Sequence, residues 1–257
     1  MNKRLLLVTL LSIYIVVLAT PGAAQNSSWG TPGPLWGPQL VLGHDGAGVW
    51  TTKLVIHNNT PFSLEVYAWF CKSRAWPNGL AAYDWFSPRV NGAQYGGWVE
   101  IPVLHGVETL ELASDDLNVG WMALTGGDVT GNLLSAELVY FYNGQEVAAS
   151  PLTHAGKRFV IPVAGSTTGL AITAIGAYIW ESPALTLRAF DSGGTLVAEQ
   201  FLGQLRAPGQ TAKSLNGFFA GNTKWEAYLA SHGDFKGTLE VVTDGWPVAV
   251  AAIHIKY

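Results

Sequence analysis

The closing stretch of the chain, Gly237 to Tyr257, contains a pattern that strongly limits the possible folds. Thr238 to Thr243 alternates side chain by side chain, Asp244 to Pro247 interrupts the run, and Val248 to Tyr257 continues as an apolar, β-branched segment. Period-two alternation bounded by Gly, Asp and Pro is typical of strand, turn and strand. The sequence therefore predicts a closing hairpin, with two strands folded back on each other.

Similar segments recur along the chain, and turn residues separate them at intervals of about 8–12 residues. No segment has a sustained 3.6-residue period with caps, so helix content is predicted to be low, with one helical turn at Asn216–Phe219. The predicted fold class is all-β. The strands predicted before the closing hairpin are Pro38–Leu42, Trp50–His57, Phe62–Cys71, Trp98–Val103, Val107–Ala113, Gly120–Thr125, Leu133–Tyr142, Gln145–Ser150, Arg158–Val163, Thr167–Thr173, Ala184–Asp191, Thr195–Leu202 and Gln210–Leu215.

Residues 1–24 have the layout of a secretory signal peptide. Lys3 and Arg4 form a basic start, Leu5 to Leu18 an apolar core, and Pro21 to Ala24 a small-residue exit. The alternative is an uncleaved anchor, but the apolar run is shorter than the roughly 20 residues that span a bilayer. The sequence predicts cleavage after Ala24 and a secreted protein, extracellular or periplasmic, that meets the membrane only through its export signal.

Charge and cysteine content argue against a nucleic-acid partner and exclude an intrachain disulfide. Removing Lys3 and Arg4 with the signal leaves 12 basic and 18 acidic side chains, a net charge of −6. The absence of a basic run argues against nucleic acid as a partner. Cys71 is the only cysteine, so an intrachain disulfide is impossible and the fold depends on burial alone.

A faint internal repeat divides the mature chain. Thr51–Ile56 matches Thr167–Ile172, and Gly120–Thr125 matches Gly237–Thr243 in position and pattern. In each copy a long strand follows the first segment, and an apolar strand follows the second. The repeat predicts a duplication, and with it two successive domains of similar design.

The predicted domains have the following bounds. A Gly/Pro/Ser-rich arm covers residues 25–37, a first β-sandwich domain covers 38–163 and a second covers 164–257. The first contains a long irregular segment at 72–97 that is rich in aromatic residues. Loops of this length in compact domains are often functional.

The order TTGLAIT, ALTLRAFDSGGTLVAEQ, PGQTAKSLNGFF and FKGTLEVVTDGWPVAVAAI resembles a repeat found in exported bacterial proteins. Those proteins contain tandem immunoglobulin-like β-sandwich modules, mostly of uncharacterised function. The resemblance is clearest over Gly165–Tyr257 and weaker over Trp50–Val163. It implies two tandem immunoglobulin-like domains and export, and it carries no catalytic motif.

The aromatic residues of the 72–98 segment have two interpretations. Exposed, coplanar rings on a sandwich stack against sugars, which makes Trp76, Tyr83, Trp85 and Trp98 candidate carbohydrate-binding residues. Alternatively, the same rings fill the core of a fold without disulfides. The sequence identifies no partner, and the candidates are a polysaccharide and another cell-surface protein.

Motifs for catalysis, metals and cofactors are missing from the sequence. The six histidines are scattered singly, no nucleophile elbow or phosphate-binding loop occurs, and no cofactor or metal is expected. The leading hypothesis is a non-catalytic exported protein with an adhesion, structural or surface-display role. Carbohydrate binding is one alternative. An outer-membrane β-barrel is another, because Ala249 to Tyr257 alternates toward a terminal aromatic residue.

Overall fold

The computed structural model describes residues 33–72, 85–103, 106–126, 133–175 and 181–253. Within these ranges the protein is mostly β, with several antiparallel sheets and two short helices. This confirms the all-β prediction. The predicted signal peptide, residues 1–24, lies outside the described residues. None of the helices in the described ranges combines the length and hydropathy needed for a membrane span.

The first unit is one sheet of eleven strands that bends into two layers. One layer has the order β6-β3-β8-β1-β11 and the other β5-β4-β7-β2-β9-β10, and the end of β1 pairs with the start of β2 at Gly43. Its strands are β1 Leu35–His44, β2 Val49–Asn58, β3 Leu64–Lys72, β4 Arg89–Val90, β5 Ala93–Gln94, β6 Trp98–Val103, β7 Gly106–Ala113, β8 Asn118–Thr125, β9 Leu134–Tyr142, β10 Gln145–Pro151 and β11 Thr153–His154.

Alternation along these strands places one apolar cluster between the two layers. On β3 the inward side chains Val66, Ala68 and Phe70 are buried, and they meet residues such as Leu54 and Leu138 of the facing layer. Residues two apart on a strand lie on the same face, so one face of each strand is committed to this core. The side chains on the opposite face of β3 point away from this core.

The second unit has a four-stranded sheet, β12-β17-β14-β15, and a three-stranded sheet, β16-β13-β18. Both sheets contribute to a second apolar cluster, which also includes Trp225 and Phe219. The elements are β12 Arg158–Ala164, β13 Gly169–Ala174, β14 Ala184–Asp191, β15 Leu196–Gln204, β16 Gly209–Ser214, α1 Leu215–Phe218, α2 Thr223–His232, β17 Lys236–Asp244 and β18 Val248–Ile253.

Seven strands of each unit have the same pairing order. In the first unit they are β1, β2, β3, β6, β7, β8 and β9, and in the second they are β12 to β18. In both, the first strand pairs with the sixth, the sixth with the third, and the third with the fourth. The second strand pairs with the fifth and the seventh. The segments matched by sequence therefore occupy equivalent strands.

This order differs at both ends from a constant-type immunoglobulin domain. There the first strand lies beside the second, and the seventh lies beside the sixth. Here β12 pairs with β17 and β18 pairs with β13, so the two terminal strands have exchanged sheets, and the fourth strand, β15, pairs with the third, β14, instead of with the fifth. The immunoglobulin-like part of the sequence interpretation stays a prediction.

The predicted closing hairpin is wrong. The strands β17 and β18 do not pair with each other, because the Asp244–Pro247 turn carries the chain from one sheet to the other. Their apolar faces meet across the core through residues such as Val241 and Val248. Alternation and turn residues are the same in both arrangements, so the local sequence did not distinguish a hairpin from a crossing between sheets. By contrast, the strands on either side of Asn143–Gly144, β9 and β10, pair with each other as a hairpin.

The two units contact each other through β1 and the three-stranded sheet. Thr173 Oγ1 and Gln210 Nε2 donate to the Pro38 carbonyl oxygen, at 3.2 and 2.5 Å. Ile253 packs against the core of the first unit. The strand β1 starts at Leu35, earlier than the predicted Pro38, so the end of the predicted arm belongs to the sheet.

Asp234 ties the end of α2 to the β12–β13 turn and gives the second unit a pH-dependent contact. Its carboxylate accepts hydrogen bonds from the backbone N–H of Ser166 and of Phe235, both at 2.8 Å, and these bonds lower its pKa below the ordinary value. The ionised form therefore stabilises the fold above about pH 4. This contribution is lost as the pH falls through the lowered pKa.

We expect Asp234→Ala to lower the melting temperature by roughly 2–4 °C at neutral pH. The gap from the wild type should narrow as the pH falls below about 4 and through the lowered pKa of Asp234, because the wild-type carboxylate then becomes protonated as well. Thermal unfolding across this pH range measures it. Asp244→Ala, at an exposed acid in the same unit, serves as the control. A gap that stays constant down to pH 3 contradicts the assignment.

Candidate functional site

The candidate site is the outer face of the layer β1-β8-β3-β6 in the first unit. Since Val66, Ala68 and Phe70 point into the core, alternation turns Tyr67 and Trp69 of β3 to the outside. Both are only partly buried. The outward residues of the edge strand β6 are Trp98, Glu100 and Pro102, and all three are exposed.

Backbone register aligns four of the outward residues in one row across the sheet. Trp36 of β1 is opposite Ala123 of β8, Ala123 is opposite Trp69, and Trp69 is opposite Trp98. Directly opposite residues have Cβ atoms about 5 Å apart. Residues far apart in the sequence thus meet in a tryptophan row, which we define as Trp36, Ala123, Trp69 and Trp98.

Trp85 extends the row beyond β3. It forms a backbone bridge with Cys71, and the next residue, Phe86, donates its N–H to the Phe70 carbonyl at 3.3 Å. Its side chain lies directly over Gly97, where an added Cβ would come within 2.9 Å of the Trp85 Cβ. Gly97 has a φ of +87°, so it provides both the turn and the space for this indole.

The exposed end of the site is a set of neighbouring rings. The Trp69 ring centroid is 5.4 Å from that of Trp85 and 5.8 Å from that of Trp98, with interplanar angles of 47° and 29°. The Tyr67 centroid is 6.0 Å from that of Trp98. Trp85 and Trp98 are 41% and 46% exposed. Trp69 Nε1 donates to Thr125 Oγ1 at 2.8 Å, which fixes the central ring.

The other end of the row is more buried. The Trp36 and Trp121 ring centroids are 5.4 Å apart with an angle of 48° between the ring planes, and both residues pack with Cys71 and Ala123 in a small apolar cluster. The Cys71 thiol is buried, as its place in an apolar strand predicts. The face therefore runs from a buried aromatic anchor near β1 to open rings at β6.

The second unit holds a different set of residues in the equivalent row. Register places Val160, Glu240, Arg188 and Glu199 where the first unit has Trp36, Ala123, Trp69 and Trp98. Arg188 bridges the two acids, at 2.5 Å to Glu199 and 3.3 Å to Glu240, and these bonds raise its pKa. Arg158 adds a further contact to Glu240 at 2.5 Å. One sheet order thus accommodates an ion-pair row in one unit and a tryptophan row in the other.

The structure brings together two of the four residues predicted from sequence. Trp85 and Trp98 lie on the same face, whereas Trp76 and Tyr83 lie outside the described residues. Sequence reasoning missed Trp69, the ring between the two, although the alternation of β3 places it opposite the core residues. The missing information was the register that joins β3 to β6.

The described residues contain no cluster of three or more His, Cys, Asp or Glu side chains placed to hold a metal ion. A scan against protein-family models, a search of curated proteins and a search of solved structures each found no match for this chain. The resemblance to tandem immunoglobulin-like modules therefore stays a prediction from the sequence.

Proposed function

We propose that this chain is an exported, non-catalytic binding protein whose first unit binds polysaccharide on the tryptophan row. Its two units are tandem sandwich modules of immunoglobulin-like type with exchanged terminal strands, and its cleaved signal peptide directs it outside the cytoplasm. Binding of surface or matrix glycans accounts for the adhesion or display role that the sequence suggests. The proposal keeps the expectation that the protein is not an enzyme.

The difference between the two equivalent rows carries this proposal. The second unit has Arg188 and Glu199 at the positions of Trp69 and Trp98. The sheet order thus places no requirement for aromatic rings at these positions. Large indoles at exposed positions add little to folding, so their presence calls for a ligand that covers them.

Sugars are the ligand class that fits this surface. The apolar faces of pyranose rings stack on aromatic side chains, which bury a large area at a small cost in side-chain entropy. Trp69 is held by Thr125 and by the rings on either side. A surface fixed in advance loses less conformational freedom on binding.

Affinity electrophoresis through gels that contain single polysaccharides tests the proposal. We expect the wild type to be retarded by at least one polymer, and Trp98→Ala to weaken that interaction at least about tenfold. Trp246→Ala is the matched control, because Trp246 is 45% exposed in the turn between β17 and β18. Equal loss in both variants, or no retardation of the wild type on any polymer, refutes the proposal.

A further inference from the structure

The tryptophan row has an acidic border. Glu100 follows Trp98 by two residues on β6 and lies directly opposite Tyr67. Glu65, on the same outer face of β3, lies opposite Pro102. Both carboxylates are exposed. Residues two apart on a strand lie on the same face, about 7 Å apart, so Glu100 is within reach of a ligand stacked on Trp98.

The four strands of this face offer no basic side chain to offset the two acids. The strands β1, β6 and β8 contain neither Lys nor Arg. The strand β3 contains Lys72, whose position in the alternation is with Ala68 and Phe70 on the opposite face. In the second unit the equivalent face has Arg158 and Arg188 beside its acids. Within these four described strands the outer face thus carries acids and no base, whereas its counterpart in the second unit is balanced.

We infer that the tryptophan row of the first unit selects a polysaccharide of amino sugars, whose ammonium groups pair with Glu100 and Glu65. This inference rests on the proposed polysaccharide binding and specifies its ligand. Cations are attracted to the faces of indole rings, and an adjacent carboxylate adds a direct charge contact. Anionic polysaccharides are repelled by the same two acids.

Three hexasaccharides separate this inference from the function on which it rests. They are a glucosamine hexamer, the N-acetylated form of that hexamer, and a neutral glucose hexamer. Isothermal titration at a single pH of about 5.5 compares the affinities of the three hexamers. We expect the glucosamine hexamer to bind roughly threefold to tenfold more tightly than the other two. The preference should weaken at high salt because the charges are exposed.

Glu100→Gln keeps the shape of the side chain and removes its charge. It should reduce the preference for glucosamine to less than about twofold while the N-acetylated and neutral hexamers bind as before. Glu111→Gln is the control, because Glu111 is exposed on β7 in the other layer of the same unit. The Glu111→Gln variant should prefer the glucosamine hexamer as strongly as the wild type does.

Each remaining outcome contradicts one or both of the two proposals. Equal affinity for all three hexamers, lost in Trp98→Ala, overturns the amino-sugar inference and leaves polysaccharide binding in place. Tighter binding of an acidic polymer such as alginate overturns the inference as well. No binding of any saccharide, or binding of polylysine alone, overturns both.

Discussion

Gly237→Ala should destabilise the protein by about 3 kcal/mol, because its new methyl group has no room beside β14. A Cβ at this position would lie 2.0 Å from the Phe190 carbonyl oxygen and 2.9 Å from the Asp191 backbone. These are backbone atoms, so the strands β14 and β17 must move apart. For a chain of this size the melting temperature should fall by roughly 6–12 °C.

Gly120 is the equivalent glycine of the first unit, and we expect Gly120→Ala to have an effect of similar size. A Cβ there would lie 1.9 Å from the Cys71 carbonyl oxygen at the end of β3. Glycine inside a strand often marks such a close backbone approach. Gly96→Ala is the control, since no atom lies within 4 Å of its added Cβ. If both Gly120→Ala and Gly237→Ala unfold at the wild-type melting temperature, the close backbone approach at these two glycines is contradicted.

The second large effect concerns the site. Moving the ion pair of the second unit into the first, with Trp69→Arg and Trp98→Glu together, should abolish polysaccharide binding while the protein still folds. Both positions are at least partly exposed, and Arg188 and Glu199 occupy them in the sister sheet. The melting temperature should drop by no more than roughly 5 °C.

Thermal unfolding and affinity electrophoresis of this double variant separate the two roles of the row. A folded protein without binding assigns the row to the ligand. An unfolded or aggregated double variant shows instead that the tryptophans hold the first unit together, and Trp98→Ala alone should then also be strongly destabilised. Retained binding in a folded double variant places the ligand elsewhere.

Strand positions were largely predictable from the sequence because alternation and turn residues are local. The bounds of β6, Trp98–Val103, and of β14, Ala184–Asp191, agree with the prediction. The helix α2 was missed because it is short and buries only Trp225 completely. Its signals are Asn222, which accepts a hydrogen bond from the Trp225 N–H, and Gly233 after the last turn.

Pairing between strands was not predictable, because it depends on contacts between distant segments. The sequence indicated Trp85 and Trp98 as candidates, yet the ring that joins them, Trp69, comes from another strand. The correspondence of Trp69 with Arg188 was not predictable for the same reason, because it depends on how the strands pair. Local repeats aligned Gly120 with Gly237, but only register connects the two rows across the sheets.

The central claim is that the exposed tryptophans of the first unit form the ligand surface, and NMR of the indole N–H groups tests it most directly. On titration with a polysaccharide that retards the protein, the resonances of Trp69, Trp85 and Trp98 should shift together. Those of Trp225, in the second core, and Trp246, in the exposed turn, should stay unchanged. Binding that leaves the first three unmoved, or that moves Trp246 instead, contradicts the claim.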